Sequence, residues 1–233
     1  MSEIFDRLVD EAWPAPYSED LGGWRLRYAD GVTKRANSVL PLGLPGDLDG
    51  AIDVAERFYG DRDLPAVFSI GPGACRGLDD ALRARGYDRV DPTLIMTADL
   101  SGGVAGPPVK IEDRPSAEWF DVWWAVDGRF PGGQEPATRI LTGIPADYVL
   151  HGPAAGRGVP QGEWYGIFCM AVLPEARRRG LAGQVLGALL ERGRAAGARR
   201  AYLTVEEANV GARALYERAG FSIEAGYHYR VLR

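Results

Sequence analysis

One stretch of the sequence brings together residue types that can do chemistry: Met170-Ala171-Val172-Leu173-Pro174-Glu175-Ala176-Arg177-Arg178-Arg179-Gly180-Leu181-Ala182-Gly183. An apolar run that reads as a strand ends at a proline, a short loop follows, and a helix opens at a glycine. The first N–H groups of a helix have no intrahelical partner and point out of its positive end. Small residues at Gly180, Ala182 and Gly183 let an anion come close to them, and Arg177, Arg178 and Arg179 supply charge around it. That is the chemistry of a pyrophosphate cradle. No Gly-Lys-Ser/Thr follows, so it is not a Walker loop, and it lacks the dinucleotide fingerprint. A triple arginine alone would be a solvated helix start; the apolar strand in front of it makes that the poorer account.

The elements that must position this loop alternate. Val109–Ile111 reads as a strand, and Ser116 opens a helix through Trp119, Trp123 and Val126 that stops at Gly128. A second helical stretch covers Pro136–Leu141, and Tyr148–Leu150 begins a strand. Trp164–Val172 is apolar at nearly every position, as a strand covered on both faces is. A helix follows from Gly180 to Ala195 with Leu181, Val185, Leu189 and Leu190 on one face, then a strand at Ala201–Val205. Val210–Ala219 is a helix stopped by Gly220, and Gly226–Leu232 a last strand. This pattern predicts an α/β fold.

The first half echoes the second. Ala66–Ile70 followed by Ala81-Leu82-Arg83-Ala84-Arg85-Gly86-Tyr87 matches Ala201–Val205 followed by Ala214-Leu215-Tyr216-Glu217-Arg218-Ala219-Gly220-Phe221, at nearly the same spacing. Each runs into a terminal strand, and each is preceded by a helix and a strand ending at a proline, Pro41 or Pro174. An internal repeat follows. The run 101–108, rich in glycine and proline, reads as a linker between 1–100 and 109–233.

Composition bounds the rest. With 46% hydrophobic and 25% charged residues the chain is an ordinary globular one, and its net charge of −5 argues against a nucleic-acid partner. No apolar run reaches the roughly 18–20 residues of a membrane span, and the N-terminus lacks a signal layout. Two distant cysteines exclude a disulfide framework, and two histidines without neighbouring ligands leave no metal site; a reduced, cytoplasmic protein is the expectation.

In its motifs the sequence resembles the GNAT superfamily of N-acyltransferases. Arg177-Arg178-Arg179-Gly180-Leu181-Ala182 is similar to the family's Arg/Gln-x-x-Gly-x-Gly/Ala signature, preceded by Val172-Leu173-Pro174, and the match continues through Asn209 and Ala212–Phe221. The resemblance implies two tandem GNAT-like domains, each a mixed, mostly antiparallel sheet flanked by helices. It implies acetyl-CoA as co-substrate, an acyl group passed to a primary amine by direct attack in a ternary complex, and a monomer or homodimer. By the same resemblance the backbone at Met170, Ala171 and Val172 would hold the pantetheine arm. Amides from Arg178, Arg179, Gly180, Leu181, Ala182 and Gly183 would hold the pyrophosphate, Asn209 would touch the cofactor arm, and Tyr216 would protonate the departing thiolate. From the residues alone, Tyr216 also reads as helix core and Asn209 as an N-cap.

Two departures matter. Peptide-acetylating relatives carry a glutamate base where this chain has Thr204, which leaves Glu163 or water for that role. The first half has no arginine-glycine loop; its counterpart, Pro41–Asp49, offers Asp47 and Asp49, which repel a pyrophosphate, so 1–100 is expected to be a degenerate copy that supports the other or walls its pocket. Acceptor-lining residues are expected around Phe130–Gly143 and Tyr148–Gly162. Cys169 reads as packing, His228 as structural or pocket wall, His151 as a loop residue, and Trp119 and Trp123 as core. The reading from another class is a non-catalytic acyl-CoA-binding sensor or assembly module.

Overall fold

The computed structural model describes residues 3–101, 109–128 and 130–232. The first half runs α1 (Ile4–Ala12), a hairpin of β1 (Tyr17–Leu21) and β2 (Trp24–Tyr28), a 3-10 turn at Lys34–Ala36, β3 (Val39–Pro41), α2 (Leu48–Gly60), β4 (Val67–Ile70), α3 (Leu78–Ala84) and β5 (Asp88–Asp99). The second runs β6 (Ile111–Glu112), α4 (Ala117–Asp127), α5 (Gln134–Thr142), β7 (Asp147–His151), β8 (Ala154–Gln161) and β9 (Trp164–Val172). A 3-10 turn at Pro174–Ala176 follows, then α6 (Leu181–Ala195), β10 (Arg200–Glu206), α7 (Val210–Arg218) and β11 (Ser222–Val231). Of the expected linker 101–108, all but Ser101 lies outside the described residues. No described helix is long and apolar enough to cross a membrane.

Where a separate sheet was expected in each half, the strands form one sheet in the order β1-β2-β3-β4-β11-β5-β10-β9-β8-β7-β6. Neighbours run antiparallel except β3–β4 and β9–β10. The sheet is continuous because each half lends its last strand to the other. β5 lies between β10 and β11, and β11 lies between β4 and β5. Register pairs Thr93–Asp99 of β5 with β10 on one edge and Asp88–Thr97 with β11 on the other.

Alternation along the strands divides the core. On β9 and β10, Ile167 and Leu203 face a cluster with Val185, Leu189, Tyr216 and Phe221 beneath α6 and α7, while Phe168 and Tyr202 face the opposite side. That second cluster draws on both halves: Phe5, Trp13 and Tyr227 join Trp119 and Trp123. The expected core role of Trp119 and Trp123 holds, at 0% and 4% exposure. Helix α1 is clamped by its C-terminal carbonyls. Tyr202 Oη donates to Leu8 O (2.8 Å) and the buried Arg157 Nη1 to Ala12 O (2.8 Å), the second an acceptor that the helix end otherwise leaves open.

The stretch Tyr148–Gly162, around which acceptor-lining residues were expected, is mostly strand. Glycine marks it as loop on paper, yet β8 needs its glycines for close packing. A Cβ at Gly156 would lie 2.6 Å from Val185 Cγ1, and one at Gly158 would collide with the Tyr165 hydroxyl. His151 is the last residue of β7 rather than a loop residue.

Candidate functional site

The two parallel central strands part company. β9 and β10 pair from Trp164↔Arg200 only as far as Ile167↔Leu203, although β9 continues to Val172 and β10 to Glu206. The cause is a bulge. On the β8 side the register moves from Arg157↔Phe168 to Ala155↔Ala171, so that Cys169 and Met170 together stand opposite Gly156, and Cys169 takes φ 55°. Beyond it Ala171 and Val172 still pair with β8, leaving their other edge without a strand partner in the gap.

A cleft of about 350 Å³ occupies the splay. Its walls are Ile167–Met170 of β9, Thr204–Glu206 of β10, Asn209, Ala212 and Tyr216 from α7, and Trp123, Trp124 and Asp127 from α4. Tyr216 is buried, and burial, helped by the Asp127 carboxylate, pushes its phenol up to about 12, so it keeps its proton at neutral pH. Burial also pushes the Cys169 thiol up to about 12, so that it packs as a neutral group and is no nucleophile. Asn209 caps α7, its side chain accepting from Ala212 N at 3.1 Å, and it faces the cleft as well.

From the end of β9 the chain turns through Pro174–Ala176 into the start of α6. Gly180 is its N-cap residue, in the left-handed region at φ 80°, and it provides no side chain to cap the helix. The first helical bond is Gln184 N to Gly180 O, so the N–H groups of Leu181, Ala182 and Gly183 have no intrahelical acceptor. An added Cβ at Gly180 would meet nothing within 4 Å. Arg177, Arg178 and Arg179 are exposed around this opening; Arg177 Nε donates to Val172 O (3.1 Å) and Arg179 Nη2 to Glu175 O (3.0 Å), while Arg178 is strained at φ 64°. The helix that holds the corresponding place in the first half is different. Asp47 caps α2 with its own carboxylate, which accepts from Gly50 N at 3.1 Å, and Arg85 takes Asp49 at 2.9 Å. One helix start is open to an anion, and the other is closed by an acid.

Met170, Asn209 and Tyr216 therefore meet at the cleft, with Ala171 and Val172 continuing its edge and Arg178–Gly183 forming the turn beyond. Glu163 is not among them. It stands at the other end of β9, exposed and paired with Arg199 (3.3 Å). His228 turns away to Asp79 (2.8 Å) and is no pocket wall.

A whole wall was not foreseen residue by residue. Trp13, Val32–Arg35, Asp91 and Thr93 of the first half line the cleft opposite Tyr216. The turn carrying Arg35 is tightly built. Asn37 accepts from Ala29 N and Gly31 N and donates to Val32 O and Thr33 O, at 2.7–3.0 Å, while Trp13 Nε1 donates to Thr33 Oγ1 (3.1 Å). Thr33, Asp91 and Cys169, all cleft residues, are non-glycines at positive φ, and such strain gathers where structure is held for a purpose. Burial alone would raise the Tyr227 phenol, but the Arg35 guanidinium beside it brings it below the ordinary tyrosine range. No sequence signal distinguished Arg35; a basic turn between short strands reads as a solvated loop.

Known proteins are similar to this chain in sequence and in fold. The family model described as "Probable histone acetyltransferase Rv0428c C-terminal" matches residues 6–230. The chain is 32% identical to a Bacillus subtilis protein, "Uncharacterized N-acetyltransferase YobR", over 98% of its own length and 97% of that protein's. Among solved structures, a GCN5-related N-acetyltransferase from Kribbella flavida superposes with a TM-score of 0.69 at 15% identity, covering 99% of this chain and 95% of the other. A tandem GNAT protein from the clavulanic acid biosynthesis pathway gives 0.60 at 14% identity, covering 97% and 86%.

Proposed function

We propose that this chain, which belongs to the GNAT superfamily of N-acetyltransferases, passes the acyl group of acetyl-CoA directly to a primary amine, both substrates being bound together in the splay between β9 and β10. The observation that carries the reading is that one gap in the sheet ends at an uncapped helix start on one side and contains a protonated, buried phenol on the other. The uncapped N–H groups of Leu181, Ala182 and Gly183, with Arg178 and Arg179 about them, suit a pyrophosphate. The free edge of Met170–Val172 suits the extended arm behind it, and Asn209 adds a polar contact from α7.

The chemistry needs little from the side chains. The amine nitrogen attacks the thioester carbonyl, the new C–N bond forms and the C–S bond breaks. Tyr216 gives its proton to the leaving thiolate and regains one from solvent, while the nitrogen sheds its own to water in the cleft. Glu163, beyond the cleft, takes no part.

The two halves are read as copies of one fold that have exchanged last strands. The strand order, alike in both directions from the β11–β5 pair, supports this, as does the single parallel pair in each half. The first copy holds no acyl-CoA, since Asp47 closes its helix start, and it serves by walling the cleft with Trp13 and Arg35. The direct test is thiol release from acetyl-CoA across a library of primary amines. At least one amine should give saturable release and an N-acetylated product by mass spectrometry. Binding of acetyl-CoA without release from any amine would favour a sensor instead.

A further inference from the structure

Arg35 has donors to spare. Among the described residues its guanidinium makes two hydrogen bonds, both from Nη2, to Thr204 Oγ1 (3.0 Å) and Tyr227 Oη (3.5 Å). Nε is buried with no partner. No described carboxylate lies within ion-pair distance of it. Of the acids that share the cleft, Asp91 is taken by Lys34 (2.9 Å), Asp127 accepts from the indole N–H of Trp123 (3.1 Å), and Glu206 is exposed at the end of β10. Trp13 and Phe168, neighbours with ring centroids 6.1 Å apart, lie side by side against the cation at 5.3 and 5.7 Å, which steadies the guanidinium from one side. A half-buried cation without a counter-ion among the described residues is costly to keep, and here the rigid turn held by Asn37 keeps it in place.

We propose that Arg35 receives a carboxylate of the acceptor, so that the enzyme acetylates the amino group of an amine that is also an acid. The proposal rests on the acyl-transfer reading above for the identity of the acceptor. A planar fork with free N–H groups matches a carboxylate in a way a lone ammonium would not. The acid belongs to the acceptor rather than to the acyl donor because Arg35 packs with Phe168 on one face of β9, whereas Tyr216 clusters with Ile167 on the other. A chain crossing the splay from the Tyr216 side would reach Arg35 only through the acceptor's space. A lysine side chain of a basic protein would offer this cation nothing.

The experiment compares matched pairs with acetyl-CoA as donor: tyrosine against tyramine, tryptophan against tryptamine, with succinyl-CoA against acetyl-CoA as a second arm. The acids should exceed their decarboxylated partners by on the order of 10²-fold in kcat/KM, mostly through KM, as expected when a charged donor goes unpaired with the wrong substrate. Arg35→Met should erase that preference, and Arg35→Lys should restore part of it. Equal rates for acid and amine, or a preference that survives Arg35→Met, would overturn the proposal. So would an Arg35 dependence seen only with succinyl-CoA, which would place the acid on the donor. Thermal stabilisation by N-acetyltyrosine but not N-acetyltyramine, lost in Arg35→Met and partly kept in Arg35→Lys, reads the subsite without catalysis. If it is seen while no amine releases thiol, the subsite stands and acyl transfer fails; if release occurs with amines but N-acetyltyrosine gives no such stabilisation, the subsite fails and acyl transfer stands.

Discussion

Arg35 Nη2 donates to Thr204 Oγ1 at 3.0 Å, tying a turn near the start of the chain to the strand that opens the cleft. Thr204→Val keeps the shape of that side chain and removes the acceptor, leaving a further N–H of a half-buried cation unpaired. A loss of about 1–3 kcal/mol in the free energy of unfolding is expected, read from urea titrations. An unchanged midpoint would mean that the contact is incidental.

The open start of α6 predicts a specific failure. Arg179→Glu together with Gly180→Asp puts two acids where the N–H groups of Leu181–Gly183 lie free, reproducing in α6 the closure that Asp47 brings to α2. Acetyl-CoA binding by calorimetry should vanish, with the thermal transition retained. Unchanged affinity would move the pyrophosphate elsewhere.

Tyr216→Phe removes one oxygen from a buried, packed ring and should lower kcat by roughly 10²- to 10⁴-fold with acetyl-CoA affinity nearly constant. Since the phenol sits near 12, the alkaline side of the wild-type pH–rate profile should show no loss from this group below about pH 10. Full turnover in the variant would leave Tyr216 a core residue.

Exchange of β5 and β11 predicts that neither half folds alone. Residues 109–233 without β5 leave β10 and β11 with no common neighbour, and residues 1–100 without β11 leave β4 and β5 in the same state. Each fragment should melt without a cooperative transition by circular dichroism, and mixing the two should restore one. A cooperative melt of 109–233 by itself would show that the exchange is dispensable.

Asp6 gives stability a pH dependence of unusual sign. Burial pushes its carboxyl up to about 6, against the hydrogen bond from Gly73 N and the charge of Arg27. The folded protein thus holds this proton more tightly than the unfolded chain, whose aspartates titrate near ~3.9. Its contribution is complete below that value and is lost as pH rises through about 6, a difference of about 2–3 kcal/mol. Wild type minus Asp6→Asn, followed by denaturant unfolding from pH 4 to 7, should isolate the slope; parallel curves would refute it.

Much of the site could be read before any coordinates because it is local. Met170 to Gly183 is one strand, one turn and one helix start, and Asn209 to Tyr216 is one cap and two helical turns. Within such units, covalent connection and backbone periodicity set which groups lie together, and the same reasoning located nearly every strand and helix of the second half. Strand β8 went unread because a glycine that permits a turn and a glycine that admits a neighbour's ring, such as Gly158, look identical in one dimension.

Neighbourhood across the sheet obeyed no such rule. Either edge of a strand carries the same N–H and C=O groups, so nothing in Asp88–Asp99 or Ser222–Val231 says which half it completes. Only the folded sheet chose the exchange, by burying both strands between partners on each side. The same folding step carried Arg35 to Thr204, across 169 positions, and turned a basic loop into a cation lining the cleft. The open helix start and the phenol were written in short stretches of sequence; the wall opposite them came into being when two distant surfaces closed on each other.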